Sequence, residues 1–494
     1  MALILLLLVP ATLGSWLLVG GRHLEGRTVA RVGLGGAVIT FVLALVAARI
    51  RPEVDRSWLP DLGVRWHLGV DGISVPLVLL TAAIGVLVTA HALSQLPGGG
   101  APSTFVGCLL LVETGALATF TARDAVLFFV AFEVVLVPMW VLISRFGDPH
   151  DARARRDAAA RFILYTALGS TLMLVGILLL VTSTGTADLD ALVTAGAALP
   201  IGRQITIAAL LCVGLAVKVP VFPVHTWLPA AHTTAPTVGS VLLAAVLLKM
   251  GTYGLVRLPL ASVPGGFARI APALAVAGTV GIIWAGLVCL VERDLKRLIA
   301  YSSIAHMGFV VLALASGSGV GLQAALFGNI AHGVVSALLF VVVGGLKDRW
   351  GSVDLAVLRP ALRESAPHRG FVFLVGLAAA LGLPGLAVFW GELFAITAAW
   401  SPGPGHSQGL YRTCAVLAAL GAVLAAGYCL RVADRVWVGD AIPQGADVVD
   451  VETRGAERSV LTVLAVAVVA LGLVPGVVFD ITAPAVRALL GGGV

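Results

Sequence analysis

Apolar runs of about twenty residues, separated by short polar breaks, recur from one end of the chain to the other. A helix rises about 1.5 Å per residue, so each run is long enough to cross the roughly 30 Å hydrocarbon core of a bilayer. The pattern predicts about fourteen transmembrane helices. They lie near residues 2–20, 28–48, 73–93, 103–121, 125–144, 161–183, 204–228, 235–256, 267–291, 297–316, 321–345, 369–400, 409–435 and 459–478. The longest polar segments are 49–71, 145–161, 184–203, 347–369 and 436–458, none of them a soluble domain; 188–196 has the make-up of a short surface helix. The fold class is an all-α polytopic membrane protein.

Two of these runs are interrupted. In the seventh, Pro220 and Pro223 follow Lys218 almost at once; in the twelfth, Gly382, Pro384 and Gly385 precede Glu392. Proline removes a backbone donor and clashes with the preceding turn, so both helices must kink or open. Irregular backbone at membrane depth is tolerated only inside the protein or along a wet cavity. The interrupted spans stand five apart and so run in opposite directions, a pointer to inverted repeats with broken helices near the active midplane. The expected organisation is helices one to three in residues 1–102, a first five-helix repeat in 103–256, a second, inverted repeat in 257–435, and helix fourteen in 436–494.

Composition supports this picture. Of 494 residues, 59% are hydrophobic and only 12% are charged, which places the chain with membrane proteins. The net charge of +6 is carried by loops rather than by a nucleic-acid-binding face. Loops after odd-numbered spans hold Arg22, Arg27, Arg31, Arg145, Arg153, Arg155, Arg156, Arg293, Lys296, Arg297, Lys347, Arg349, Arg359, Arg431 and Arg454, among others; the even-numbered loops hold fewer. The positive-inside rule puts the odd loops in the cytoplasm and both termini on the outer side of the cell's inner membrane. The N-terminus lacks the basic leader of a signal peptide and is expected to remain as a span. All five cysteines fall within apolar runs without a CxxC pair, so disulfides, zinc and iron–sulfur ligation are not expected.

The chemistry must then come from the few polar residues at membrane depth. These are Glu133 in the fifth run, Lys218 and Lys249 in the seventh and eighth, His306 and His332 in the tenth and eleventh, and Glu392 in the twelfth. Asn329 and Ser336 share a helical face with His332, and Glu113 is a lesser candidate, near the end of its run. A lysine at the bilayer centre costs about 3 kcal/mol or more. A single buried histidine can simply pin two helices together. Two glutamates, two lysines and two histidines on separate helices are harder to explain that way, and what they share is proton chemistry. No metal-ligand spacing, glycine-rich phosphate loop or nucleophile elbow is present.

The run KVPVFPVHTWLPAAHTTAPTVGSVLLAAVLLKMGTYG, the following ERDLKRLIAYSSIAHMGFV, FEVVLVPMW in the fifth span and the LPG and FWGE pieces of the twelfth resemble the antiporter-like membrane subunits of respiratory complex I. The resemblance extends over about residues 60 to 435. Within that family the chain looks most like the M-type, because Glu392 stands where L-type, N-type and Mrp antiporter subunits carry lysine. The C-terminus leaves no room for the long lateral helix of an L-type chain. One departure is Ala230, where the family usually has Asp in WLPDAH. The resemblance implies a redox-inactive, proton-translocating subunit of NADH:quinone oxidoreductase, an enzyme through its complex. Glu133 and Lys218 would form the input pair, Lys249, His306 and His332 the central relay, and Glu392 the terminal group. It also implies no cofactor in this chain, and as partners the other complex I membrane subunits, including paralogous antiporter-like subunits on either side, together with the lipid bilayer and protons. The alternatives are an Mrp-type Na⁺/H⁺ antiporter subunit and a structural membrane spacer.

Overall fold

The computed structural model describes residues 1–60, 63–357, 361–440, 452–453 and 455–490. Arg359 and Arg454, both counted in the loop charge bias, lie outside the described residues, as does most of the 436–458 segment. Among the described residues, thirteen helices are long and apolar enough to span a membrane, from Ala2–His23 to Gly455–Leu473. Two shorter apolar helices, Pro367–Ala380 and Ala387–Trp400, occupy the predicted twelfth run. Together they match the predicted arrangement of about fourteen spans.

Burial locates the centre of the bundle. The central window of the eighth span, Thr237–Leu260, is 100% buried, and those of the tenth, Leu295–Ala315, and eleventh, Gly319–Trp350, are 94% buried. The first span and the last, Gly455–Leu473, are only 33% buried, as befits helices that face lipid. Small residues set how closely the inner helices pack. A Cβ on Gly278 of the ninth span would lie 2.8 Å from the Gly308 carbonyl of the tenth, and one on Gly169 of the sixth would lie 2.8 Å from the Gly214 carbonyl of the seventh. Backbones this near need glycine on both sides.

Both predicted breaks are present. The seventh span is helical over Ile201–Lys218, stops at Lys218, and resumes as Trp227–Thr234. The indole of Trp227 donates to the Val217 carbonyl at 2.9 Å, which supplies a donor at the end of the helix where intrahelical partners run out. The twelfth span opens between Ala380 and Ala387, where Gly382 and Gly385 adopt φ of +79° and +87°, a region that favours glycine. The eighth span is continuous but carries two π-helical segments, Leu243–Leu247 and Val256–Leu260, which the hydrophobic pattern gave no means of seeing.

Two strands and one helix were not foreseen. The polar segment between the second and third spans is an antiparallel hairpin, β1 (Glu53–Leu59) paired with β2 (Val64–Gly69) with a bulge between Ser57 and Leu59. The chain is therefore mostly, not wholly, helical. β1 carries no alternation of apolar and polar residues, whereas Val64–Leu68 of β2 does alternate, a strand signal that the reading of this segment as a polar connection passed by. A final amphipathic helix, Gly476–Leu489, follows the last span. The 188–196 segment does form a helix, Leu189–Ala197, capped by the Asp188 carboxylate.

Candidate functional site

Lys218 is the last residue before the break in the seventh span and is buried. Its ammonium lies 4.8 Å from the centroid of the Phe132 ring, a cation–π distance. Glu133 is next in sequence to that phenylalanine, is half-buried, and stands just before an irregularity at Val135 that divides the fifth span. Among the described residues no ion pair within 4.0 Å joins it to Lys218. The ammonium thus rests against an aromatic face, with Glu133 the next residue after it along the fifth span. On its other side, a Cβ on Gly251 of the eighth span would lie 3.1 Å from the Lys218 Cβ. Glycine there lets the end of the broken helix pack against the helix that carries Lys249.

Lys249 is fully buried between the two π segments of the eighth span. Its Nζ donates to the Ala244 carbonyl, one turn back within the first π segment, and contacts His332 Nδ1 at 2.5 Å. A π segment shifts the hydrogen-bond register and frees a carbonyl from the helix ladder; here that carbonyl holds an ammonium. His332 is oriented from its far side by Ser336, whose hydroxyl lies 2.9 Å from Nε2. One turn before His332, Asn329 Oδ1 accepts from Thr252 Oγ1 at 2.9 Å, tying the eleventh span to the eighth.

His306, on the tenth span, lies with its ring centroid 5.7 Å from that of His332. Its Nδ1 is 2.7 Å from Glu392 Oε1, and Glu392 sits six residues past the break in the twelfth span. Both are buried. His306 Nε2 has no protein partner. A small cavity of about 10 Å³ adjoins the two histidines and Glu392, bounded also by Gly328, Ala331 and Gly391; that is room for about one water.

Of the six predicted residues, four therefore form two hydrogen-bonded couples, Lys249 with His332 and His306 with Glu392, with the histidine rings facing each other across the gap. Lys218 reaches the same helix as Lys249 through Gly251, and Glu133 lies beyond Lys218. The spatial order differs from the chain order in one respect: His332 is the partner of the lysine and His306 the partner of the glutamate. A histidine with one nitrogen on an amine or acid and the other on a hydroxyl or a water can take a proton on one side and give it up on the other.

Several buried polar groups were passed over. His232, seven residues before Gly239 in the broken region, is fully buried, stacks on Phe340 at 4.5 Å and has no hydrogen-bond partner on either ring nitrogen. Lys296, assigned to a loop, is buried and donates to the Ala235 carbonyl. It lines a cavity of about 340 Å³ that also includes His91, Thr234 and the Lys347–Asp148 ion pair. Burial of a charge next to loop residues could not be read from hydropathy. Glu113 is not near a helix end: it is 1% exposed against Gly85, within the helix Pro102–Thr121, and neither oxygen has a partner. At the hairpin end, Asp71 bridges Arg257 and Arg123. Burial alone would raise the Asp71 carboxyl, but the two guanidiniums override it and hold it well below the usual carboxylate range. Among the described residues no group of three or more His, Cys, Asp or Glu is placed to hold a metal ion.

The family described as NADH:quinone oxidoreductase/Mrp antiporter, transmembrane, matches residues 122–432, which contain all six residues of the axis. The chain is 34% identical to NAD(P)H-quinone oxidoreductase chain 4 1 of Microcystis aeruginosa over 94% of its own length and 89% of that protein's. Among solved structures, a chain of respiratory complex I from Thermus thermophilus with bound NADH superposes with a TM-score of 0.87 at 28% identity, covering 99% of both chains. A chain of the Mrp complex from Dietzia sp. DQ12-45-1b superposes at 0.86 with 22% identity, over 100% of this chain and 98% of that one, a likeness of fold.

Proposed function

Since the chain belongs to the NADH:quinone oxidoreductase/Mrp antiporter transmembrane family, we propose that it is a redox-inactive, proton-translocating subunit of a membrane-bound NAD(P)H:quinone oxidoreductase, of the M-type. Its multi-pass bundle would sit in the cell's inner membrane beside other membrane subunits, with both termini outside and with residues 103–256 and 257–435 as the two inverted repeats. The observation that carries this reading is the pair of buried couples, Lys249–His332 and His306–Glu392, laid end to end across the most buried helices of the bundle.

The chemistry follows from charge and distance. A carboxylate at Glu133 favours the ammonium at Lys218; neutralising or withdrawing it favours release of that proton toward Lys249. Lys249 then passes charge to His332, which faces His306, which shares its proton with Glu392. Energy comes from redox chemistry elsewhere in the complex, since this chain offers no flavin or iron–sulfur motif. A carboxylate at position 392 can receive a proton, whereas a lysine there would start cationic and repel one; this favours the oxidoreductase reading over the Mrp-type antiporter.

The test is Lys218→Ala in the purified, assembled complex. Proton pumping and coupled quinone reduction should fall by roughly tenfold or more, equivalent to about 1.4 kcal/mol, with assembly intact. Full pumping by an assembled Lys218→Ala complex would leave only the structural-spacer reading. Sodium-dependent transport by the chain without quinone reductase subunits would instead support the antiporter.

A further inference from the structure

On the hairpin face, well away from the buried axis, His67 of β2 is held between two acids. Its Nδ1 lies 2.6 Å from Asp188 Oδ2 and its Nε2 lies 2.6 Å from Glu53 Oε1. A neutral imidazole has one N–H and can donate to only one of them; two carboxylate partners need a proton on each ring nitrogen. The acids are poor places for the extra proton. Glu53 is 65% exposed, and the Asp188 carboxylate also accepts the Asp190 and Ala191 amides at the start of the short helix. The His67 side chain is only 5% exposed, so the imidazolium is screened little by solvent.

The clasp ties together the segments that seat the fifth span. The His67 carbonyl accepts from the Arg123 amide, the Arg123 carbonyl accepts from the Leu189 amide, and the Ala125 amide donates to Ala187. Asp124 takes the Arg65 amide with one oxygen and caps the fifth span through the Val126 and Leu127 amides with the other. Glu133 stands eight residues past Ala125 on that same span, about 12 Å along it.

The geometry points to a proton-sensitive latch: His67, protonated between Glu53 and Asp188, clamps the hairpin and the short helix to the start of the fifth span, and loosens them when it loses that proton. The inference does not rest on the proposed relay. Every charged group around the ring is accounted for. Glu53 and Asp55 face it from β1 and Asp188 from the short helix; Arg65 is paired with Asp55, Arg123 with Asp71 and Asp190, and Asp124 is held by backbone amides. Burial alone would make the imidazolium less favourable, but the hydrogen bonds to Asp188 and Glu53 outweigh it, and the ring holds its proton above the ordinary histidine range. For a group raised on folding, the stabilisation is complete below the unfolded value and is lost as pH rises through the folded one. The latch is therefore shut on an acid face and opens toward alkaline pH.

The test is hydrogen exchange by mass spectrometry on the purified complex in lipid nanodiscs, from about pH 6 to about pH 9, with protection corrected for the intrinsic rate at each pH. Protection of the peptides covering β2 and residues 186–192 should fall by roughly tenfold across that window. His67→Asn should give the low protection at every pH. Glu53→Gln, at an exposed side chain that leaves the fold in place, should keep the fall but move it to lower pH. Protection independent of pH in the unsubstituted complex would overturn the latch. So would a pH-dependent fall that survives His67→Asn, or a midpoint that Glu53→Gln does not move.

Discussion

Residue by residue, the proposed relay depends on charge as well as on hydrogen-bonding shape, and Glu133 separates the two. Glu133→Gln keeps the size and the hydrogen-bonding atoms but removes the carboxylate that favours the Lys218 ammonium. Proton pumping should fall nearly as far as with Lys218→Ala, roughly tenfold or more. Glu133→Asp retains the charge with one methylene less reach and should keep part of the activity. Wild-type pumping by Glu133→Gln, measured in membrane vesicles, would remove Glu133 from the input pair. The six residues were legible because hydropathy makes a charge at membrane depth conspicuous. Their pairing was not. His306 and His332 stand on different helices, and which ring meets the lysine depends on helix rotation, which sequence spacing leaves open. Glu113 was undervalued for a related reason: position in an apolar run says little about which neighbour covers a side chain, and here it is Gly85.

Among the elements, the break in the seventh span is held by one tryptophan, and another ties the twelfth span to the last. Trp227 donates to Val217 beside Lys218, and Trp390 donates to the Gly472 carbonyl of the last span at 2.7 Å. Trp227→Phe retains most of the packing but leaves a buried carbonyl without its donor, which costs about 1–3 kcal/mol. The thermal transition of the complex should drop, and pumping should fall with it because Lys218 sits one residue from that carbonyl. An unchanged transition in Trp227→Phe would show that the break is held by other contacts. Proline and glycine announced both breaks in the sequence. Of the π segments around Lys249, Leu243–Leu247 gave no such signal: it is built of ordinary aliphatic residues and packs against the eleventh and third spans, whereas Val256–Leu260 contains Pro259 and packs against the seventh and ninth. The hairpin was missed because β1 has no alternation and the whole segment is polar enough to read as a connection, although Val64–Leu68 does alternate apolar and polar residues.

For the whole molecule, class and span count were readable because a bilayer imposes one length and one polarity on every crossing. The polar network at the hairpin face was not, since it is assembled from segments more than fifty residues apart, such as Arg65 with Asp124 and His67 with Asp188. The isolated chain should carry no redox centre. Its cysteines are separate, buried and unpaired, and stoichiometric flavin or iron–sulfur absorbance in the purified subunit would contradict that. The most direct test of the central claim, that protons move along a buried axis ending at Glu392, is the number of protons pumped per NADH oxidised in vesicles carrying Glu392→Ala, with assembly checked by native gel. Glu392→Gln and Glu392→Ala should both lower that ratio severely, by roughly tenfold, and Glu392→Lys should restore it only in part. A Glu392→Ala complex that assembles and pumps at the full ratio would show that the His306–Glu392 couple only holds two helices together.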